Sequence, residues 1–261
     1  MVTLQLRDLG AAYGRCVVLS GIDTPAWHGG EVVSVIGPNA AGKSTLFKRI
    51  AGLIDGPGEV LLQGARRGAD AIAYLPQDHG ATAALTVYET VLLARKQGSG
   101  WAVGDAELRL IDEVLASLDI EDIAWRRLGE LSGGQRQLAS IAQALVREPE
   151  VVLMDEPTSA LDLHRQIQVL AFMRQLARRR GMLVLIAMHD LNQALRFSDQ
   201  TLVLHDGTAC ASGPCETVIA IDLLRRVYRV EARIERCSLG RSQVIVDAVS
   251  CATGCAGDAA S

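Results

Sequence analysis

Nine residues, Gly37-Pro38-Asn39-Ala40-Ala41-Gly42-Lys43-Ser44-Thr45, constrain this chain more than any others. They fit the spacing G-x-x-x-x-G-K-[ST], in which a Gly-rich loop turns its backbone N–H groups inward around an anion. Lys43 is placed to reach terminal phosphates, Ser44 offers a hydroxyl to a divalent cation, and the helix that opens here aims its positive end the same way. A loop match alone is weak, so the flanks decide. Glu31-Val32-Val33-Ser34-Val35-Ile36 reads as a buried strand, and Lys43 to Ala51 carries Leu46, Phe47 and Ile50 at helical spacing.

Composition sets the bounds around that loop. At 261 residues, 49% of them hydrophobic, the chain can bury one sizeable α/β domain with an inserted lobe. A net charge of −4 supplies no basic field, so nucleic acid is not an expected partner. No apolar run reaches the length of a bilayer span. The six cysteines, Cys16, Cys210, Cys215, Cys237, Cys251 and Cys255, form no C-x-x-C pair and read as reduced thiols of a cytoplasmic protein. Cys251 and Cys255 could share a helix face, but no His or further Cys stands beside them to complete a metal site.

Along the chain, Val2, Leu4 and Leu6 alternate as a strand, and a second strand is expected at Cys16 to Leu19 after a bend from Gly10 to Gly14. Strands follow at Glu59 to Gln63 and Ala71 to Leu75, with Gln77 just past the latter. From Leu85 to about Val146 the pattern turns helical, over Thr86 to Arg95 and Ala106 to Leu118, with a loop at Gly98-Ser99-Gly100. A third helix opens at Leu131-Ser132-Gly133-Gly134-Gln135, where Ser132 is a good N-cap beside free N–H groups. The apolar run Val151 to Met154 ends in Asp155 and Glu156. A helix from Leu163 to Arg179 comes next, with Arg178-Arg179-Arg180 as a solvated end favoured by the helix dipole. A strand at Leu183 to Ala187 leads to Met188-His189-Asp190, then come a helix, a strand at Thr201 to His205, and a helical stretch from Glu216 to Val230. Residues 231–261 read as a hairpin around Gly240 followed by a disordered tail.

Alternating strands and helices, with a phosphate loop and carboxylates at strand ends, predict an open parallel sheet binding its ligand at the carboxyl edge. The ordered set of motifs, from the phosphate loop through Gln77, Leu131 to Gln135, Leu153-Met154-Asp155-Glu156 and Ser159-Ala160-Leu161-Asp162 to His189, resembles the ATP-binding subunit of an ABC transporter. The resemblance implies a phosphate-loop ATPase core, residues 1–230, with an N-terminal antiparallel β layer and an inserted helical subdomain at about 85–146. It implies ATP and Mg²⁺ as ligands. Ser44, Gln77 and Asp155 would face the metal; Glu156 would activate the attacking water, His189 would contact the γ-phosphate, and Tyr13 would stack on adenine. Ser132, Gly133, Gly134, Gln135 and Asp162 would serve the nucleotide held by a second copy, so two chains would sandwich two ATP molecules. Taken singly, two acids after a strand also suit a solvated turn, one His after a strand is more often structural, and a strand Tyr is commonly core packing.

Ala40 stands where the family usually has Gly. It costs about 1 kcal/mol if that residue needs positive φ and nothing if it does not. Met188-His189-Asp190-Leu191-Asn192-Gln193-Ala194, Leu161-Asp162-Leu163-His164-Arg165-Gln166 and the short C-terminal extension are similar to importers of iron–siderophore, haem or vitamin B12 complexes. Such a subunit would work peripherally at the cytoplasmic face of the inner membrane, with a dimeric permease and an extracytoplasmic solute-binding protein as partners. The alternatives are an exporter subunit, an importer of another solute, a soluble ABC ATPase acting on ribosomes or DNA, and a phosphotransferase. The last has no use for Leu131 to Gln135.

Overall fold

The structure is a computed structural model that describes residues 1–66, 71–77, 84–97, 100 and 102–250. Gly98, Ser99, His79, Cys251, Cys255 and the C-terminal tail lie outside the described residues.

Six strands form the central sheet in the order β11 (Thr208–Pro214), β10 (Gln200–His205), β5 (Val32–Ile36), β9 (Leu183–Ala187), β8 (Val151–Asp155), β7 (Ile72–Leu75). All neighbours are parallel except β10 and β11, which pair antiparallel. Every residue of β5, β8 and β9 is buried, as expected of parallel strands covered on both faces. Their side chains alternate between two cores. Val32, Ile36, Val152, Met154, Val184 and Ile186 face one, while Val33, Val35, Val151, Leu153, Leu183 and Leu185 face the other. A slip of one residue in any of these strands would exchange the two sets, so register is tightly specified.

The second core is closed by α1 (Lys43–Ile50) and an antiparallel β layer. That layer contains β1 (Thr3–Arg7) between β4 (Trp27–His28) and β6 (Glu59–Gln63), and the hairpin of β2 (Leu9–Tyr13) with β3 (Cys16–Ile22). The expected bend at Gly10 to Gly14 is therefore largely a strand. Gly10 N–H bonds to Pro57 O at 2.9 Å, and a Cβ on Gly10 would lie 2.7 Å from the Pro57 ring, so the small residues that read as a turn serve close packing instead.

The first core is closed by the helical lobe, by α5 (Leu163–Arg180) and α6 (Leu191–Phe197), and by the C-terminal hairpin β12 (Val230–Arg236) with β13 (Ser242–Val249). In the lobe, α2 (Val87–Lys96) starts on a Thr86–Glu89 capping box, α3 (Asp105–Ser117) buries Ile111, Val114 and Leu115, and α4 (Gly133–Leu145) starts on a Ser132–Gln135 capping box. The stretch from Glu216 to Val230 is not one helix. It breaks into Cys215–Val218, Ile221–Leu223 and a π-turn at Leu224–Tyr228 that ends on Arg229 with φ 56°. The hairpin is not a detached appendage, because Ala232 and Val244 are buried in the first core and Asn192 of α6 exchanges two hydrogen bonds with the Val244 backbone, at 2.8 and 3.2 Å.

No helix among the described residues is long and apolar enough to cross a membrane. Cys16, Cys210, Cys215 and Cys237 are free thiols.

Candidate functional site

The carboxyl edge of the sheet gathers one constellation because four neighbouring strands end there: β5 runs into the phosphate loop, β7 leads to Gln77, β8 ends at Asp155, and β9 leads to His189. Asn39 to Thr45 line a concave pocket together with Val18 of β3, Gln77, Glu156 and His189. Gly37 takes φ 150°, and a Cβ there would lie 2.1 Å from Leu204 O, so glycine alone lets the loop leave the sheet against β10. Ala40 has φ 61°, the left-handed conformation that penalises a methyl group. Helix α1 is capped by Gly42 with no side-chain cap and no acid in its first turn, so its leading N–H groups and its dipole are left for an anion.

Lys43 is buried, and its Nζ donates to Gly37 O at 3.0 Å and Pro38 O at 3.2 Å. Burial pushes its pKa down, while the Glu156 and Asp155 carboxylates pull it back up. A cation held this way is repaid by phosphate oxygens.

Asp155 is also buried. Burial pushes its carboxyl pKa up, a Ser44 hydrogen bond opposes that, and Glu156 adds to the rise. Tyr74 Oη donates to Asp155 Oδ2 at 3.5 Å, whereas Asp155 Oδ1 is buried without a hydrogen-bond partner. A carboxylate oxygen without a partner next to a hydroxyl is a hard-oxygen pair that suits Mg²⁺, a cation that takes its remaining ligands from phosphate and water. The donors present therefore fit the metal.

Glu156 itself sits at φ 51°, an uncommon conformation for a non-glycine residue and one often found at functional sites. Its two oxygens are both engaged: Gln77 Nε2 donates to Oε2 at 3.0 Å, and His189 Nε2 lies 2.5 Å from Oε1. His189 is held in turn by its helix, since Asp190 caps α6 through the N–H groups of Asn192 and Gln193.

The remaining expected residues lie elsewhere. Ser132 to Gln135 and Asp162 line a second cleft with Ala160, Leu161, Asp119 and Arg165, apart from the phosphate loop of the same chain. Asp162 caps α5 through Arg165 N–H at 2.9 Å, and Arg165 Nη1 reaches Asp119 Oδ2 at 2.9 Å, tying the lobe to the core. Tyr13 is at the exposed tip of the β2–β3 hairpin and does not line the pocket, although Val18 of the same hairpin does.

Two residues at the site carry no motif. Tyr74 is on β7, and burial followed by the neighbouring Asp155 pushes its pKa well above the ordinary tyrosine value. Tyr228, in the π-turn, hydrogen-bonds the Gly37 backbone, and burial pushes its pKa up likewise. The alternation of β7 could have flagged Tyr74, which shares a strand end with Gln77; nothing local in the sequence flags Tyr228.

Comparison with known proteins agrees with this geometry. Residues 26–159 match the family model described as ABC transporter. An uncharacterized ABC transporter ATP-binding protein of Methanocaldococcus jannaschii is 40% identical, over 90% of this chain and 94% of its own length. The iron(3+)-hydroxamate import ATP-binding protein of Bacillus subtilis is 34% identical over 90% of both. Among solved structures, an inward-facing transporter described as of the metal-chelate ABC type superposes with a TM-score of 0.82 at 25% identity, covering 94% of this chain and 98% of that one. The chain belongs to the ABC transporter family, as one of its ATP-binding, ATP-hydrolysing subunits.

Proposed function

We propose that this subunit energises uptake of an iron–siderophore, haem or cobalamin-type metal chelate through a separate membrane permease, using the Gln77–Glu156–His189 cluster to hydrolyse ATP with Mg²⁺. The observation that carries the catalytic half is the carboxylate of Glu156, held at both oxygens over the pocket of the phosphate loop. A carboxylate fixed there orients a water and accepts its proton during in-line attack on the γ-phosphoryl group. Lys43 and the first turn of α1 would bind the phosphates, and Ser44 and Asp155 would hold Mg²⁺, with Gln77 as a further group facing it. Bound there, the metal would supply charge neutralisation. Gln77 and His189 fix the rotamer of Glu156, and His189 would exchange that contact for one with the γ-phosphate when nucleotide fills the pocket.

The second cleft, with Ser132 to Gln135 and Asp162, is incomplete as a nucleotide site on its own. It has a helix start and a capping box but neither a lysine nor a phosphate loop. A head-to-tail homodimer would bring it against the partner copy's phosphate loop and sandwich two ATP molecules. Docking on a permease is supported by Trp125, which is 72% exposed and stacks on Tyr88 at 4.7 Å at the start of α2, the kind of rigid aromatic pair that anchors an incoming helix. A permease dimer, a solute-binding protein outside the membrane and a place at the cytoplasmic face complete the importer reading, which follows the hydroxamate importer's subunit.

The deciding experiment replaces the native gene with a Lys43→Ala version and measures growth on haem, a ferric siderophore or cobalamin as sole source of the limiting nutrient. Failure on one source, with normal growth on free iron, supports import of that solute. Undiminished growth on all three refutes the metal-chelate assignment and leaves the ATPase chemistry standing.

A further inference from the structure

The far end of α5 holds a group of arginines that nucleotide chemistry does not use. Arg174, Arg178 and Arg179 of α5, Arg196 of α6 and Arg241 from the turn of the β12–β13 hairpin line one cleft of about 390 Å³, with Phe197 on its wall. Three separate elements therefore converge on it. A solvated helix end accounts for Arg178 and Arg179 through the dipole, but not for Arg196 and Arg241, which arrive from elsewhere.

Little negative charge answers them. Asp199 takes Arg178 Nη2 at 3.2 Å and Arg174 Nη2 at 3.5 Å on one oxygen, and its other oxygen is occupied by Val32 N–H. The hairpin acid Asp247 pairs with Arg233, and Glu216 accepts from Ser242 Oγ. Arg179 and Arg241 have no ion pair among the described residues. Arg174 donates Nη1 to Arg196 O at 2.6 Å, and its Nε is buried without a hydrogen-bond partner. Arg196 is held over the Phe197 ring at 5.0 Å, so its fork is oriented before any ligand arrives. In a chain of net charge −4, five guanidiniums against one shared carboxylate is a local concentration of positive charge. Like charges brought together in a concave wall repel one another and focus a field that draws anions.

We propose that this cleft binds a ligand bearing two neighbouring phosphate groups, taken either from a soluble diphosphate or from a diphosphatidyl lipid headgroup. The planar guanidinium fork matches phosphate oxygens two at a time, and the spread of five forks over three elements suits more than one phosphate.

The test is isothermal titration of the full chain with pyrophosphate, after the phosphate loop has been filled with a non-hydrolysable ATP analogue. A parallel arm measures sedimentation with phosphatidylcholine vesicles containing cardiolipin. The double variant Arg179→Gln, Arg241→Gln removes two exposed forks that make no internal ion pair. Arg15→Gln, Arg109→Gln removes the same charge elsewhere. We expect the cleft variant to lose about tenfold or more in affinity for whichever ligand binds, and the control pair to lose little. Binding of pyrophosphate points to the soluble source, and binding of vesicles alone points to the lipid. The proposal is overturned if the wild-type chain binds neither ligand, or if the cleft and control variants lose affinity equally.

Discussion

His189 Nε2 lies 2.5 Å from Glu156 Oε1, across the gap between the ends of β8 and β9. The two residues follow the ends of neighbouring parallel strands, so the sheet register brings them together. Gln77, from the far side of β8, closes the other oxygen. The arrangement holds one carboxylate from both flanks while leaving it at the wall of the phosphate pocket. A carboxylate held this way has little rotational freedom left to lose when a water is presented to it.

Glu156→Gln keeps the shape of that side chain and removes its basicity. Hydrolysis should fall by about 10²- to 10⁴-fold, while Mg-ATP still binds. The trapped species should elute as a dimer from a size-exclusion column run in Mg-ATP. Turnover close to wild type would mean that another group activates the water.

Asp155 predicts a pH dependence for metal binding. Burial raises its folded pKa above the ordinary 3.8, so the folded chain holds this proton more tightly than the unfolded one. Its stabilising contribution is full below the unfolded value and is lost as pH rises through the elevated folded value. Mg²⁺ needs the ionised form and competes with that proton. The gain in Tm from Mg-ATP over ATP alone should therefore grow as pH rises through this window. In Asp155→Asn the gain should be small and flat with pH; an unchanged profile would remove Asp155 from the metal site.

Much of this was readable from local pattern. The phosphate loop, the N-cap at Ser132 and the acids at the end of β8 declare themselves because each is set by residues a few positions apart. β11 was not readable: Thr208 to Pro214 is made of small residues and ends in Gly213-Pro214, a composition poor in strand formers, and it becomes a strand only because β10 offers it an edge. The break-up of Glu216 to Val230 is a tertiary effect of the same kind, since Leu223, Leu224 and Val227 are buried by the hairpin side of the core and helical periodicity yields to that packing. The Tyr228 contact with Gly37 joins residues far apart in sequence, and no local rule sees it. Tyr13 is easy to find as an aromatic upstream of the loop, and the strand pairing sets it opposite Cys16 at an exposed hairpin tip.

Trp125 tests the docking surface. Trp125→Ala deletes an exposed ring that stacks on Tyr88, so the isolated subunit should fold and hydrolyse ATP as before. Association with the permease should weaken by about 2 kcal/mol, or roughly 30-fold, if the ring is an anchor. Co-purification from detergent-solubilised membranes measures this, and undiminished recovery would move the docking surface elsewhere.

Ala40 carries the last prediction. Its φ of 61° is the case in which the methyl group matters, because the side chain crowds the following carbonyl in the left-handed region at a cost of about 1 to 2 kcal/mol. Ala40→Gly removes that strain but gives the unfolded chain more freedom, which offsets about 0.4 to 1 kcal/mol of the gain. A net stabilisation of about 0.5 kcal/mol follows, read as a higher guanidinium midpoint with unchanged m. ATP affinity should stay the same, since glycine and alanine present the same backbone N–H to phosphate. A lower midpoint would show that the loop carries no strain at this position, and a changed ATP affinity would show that the methyl group itself shapes the pocket.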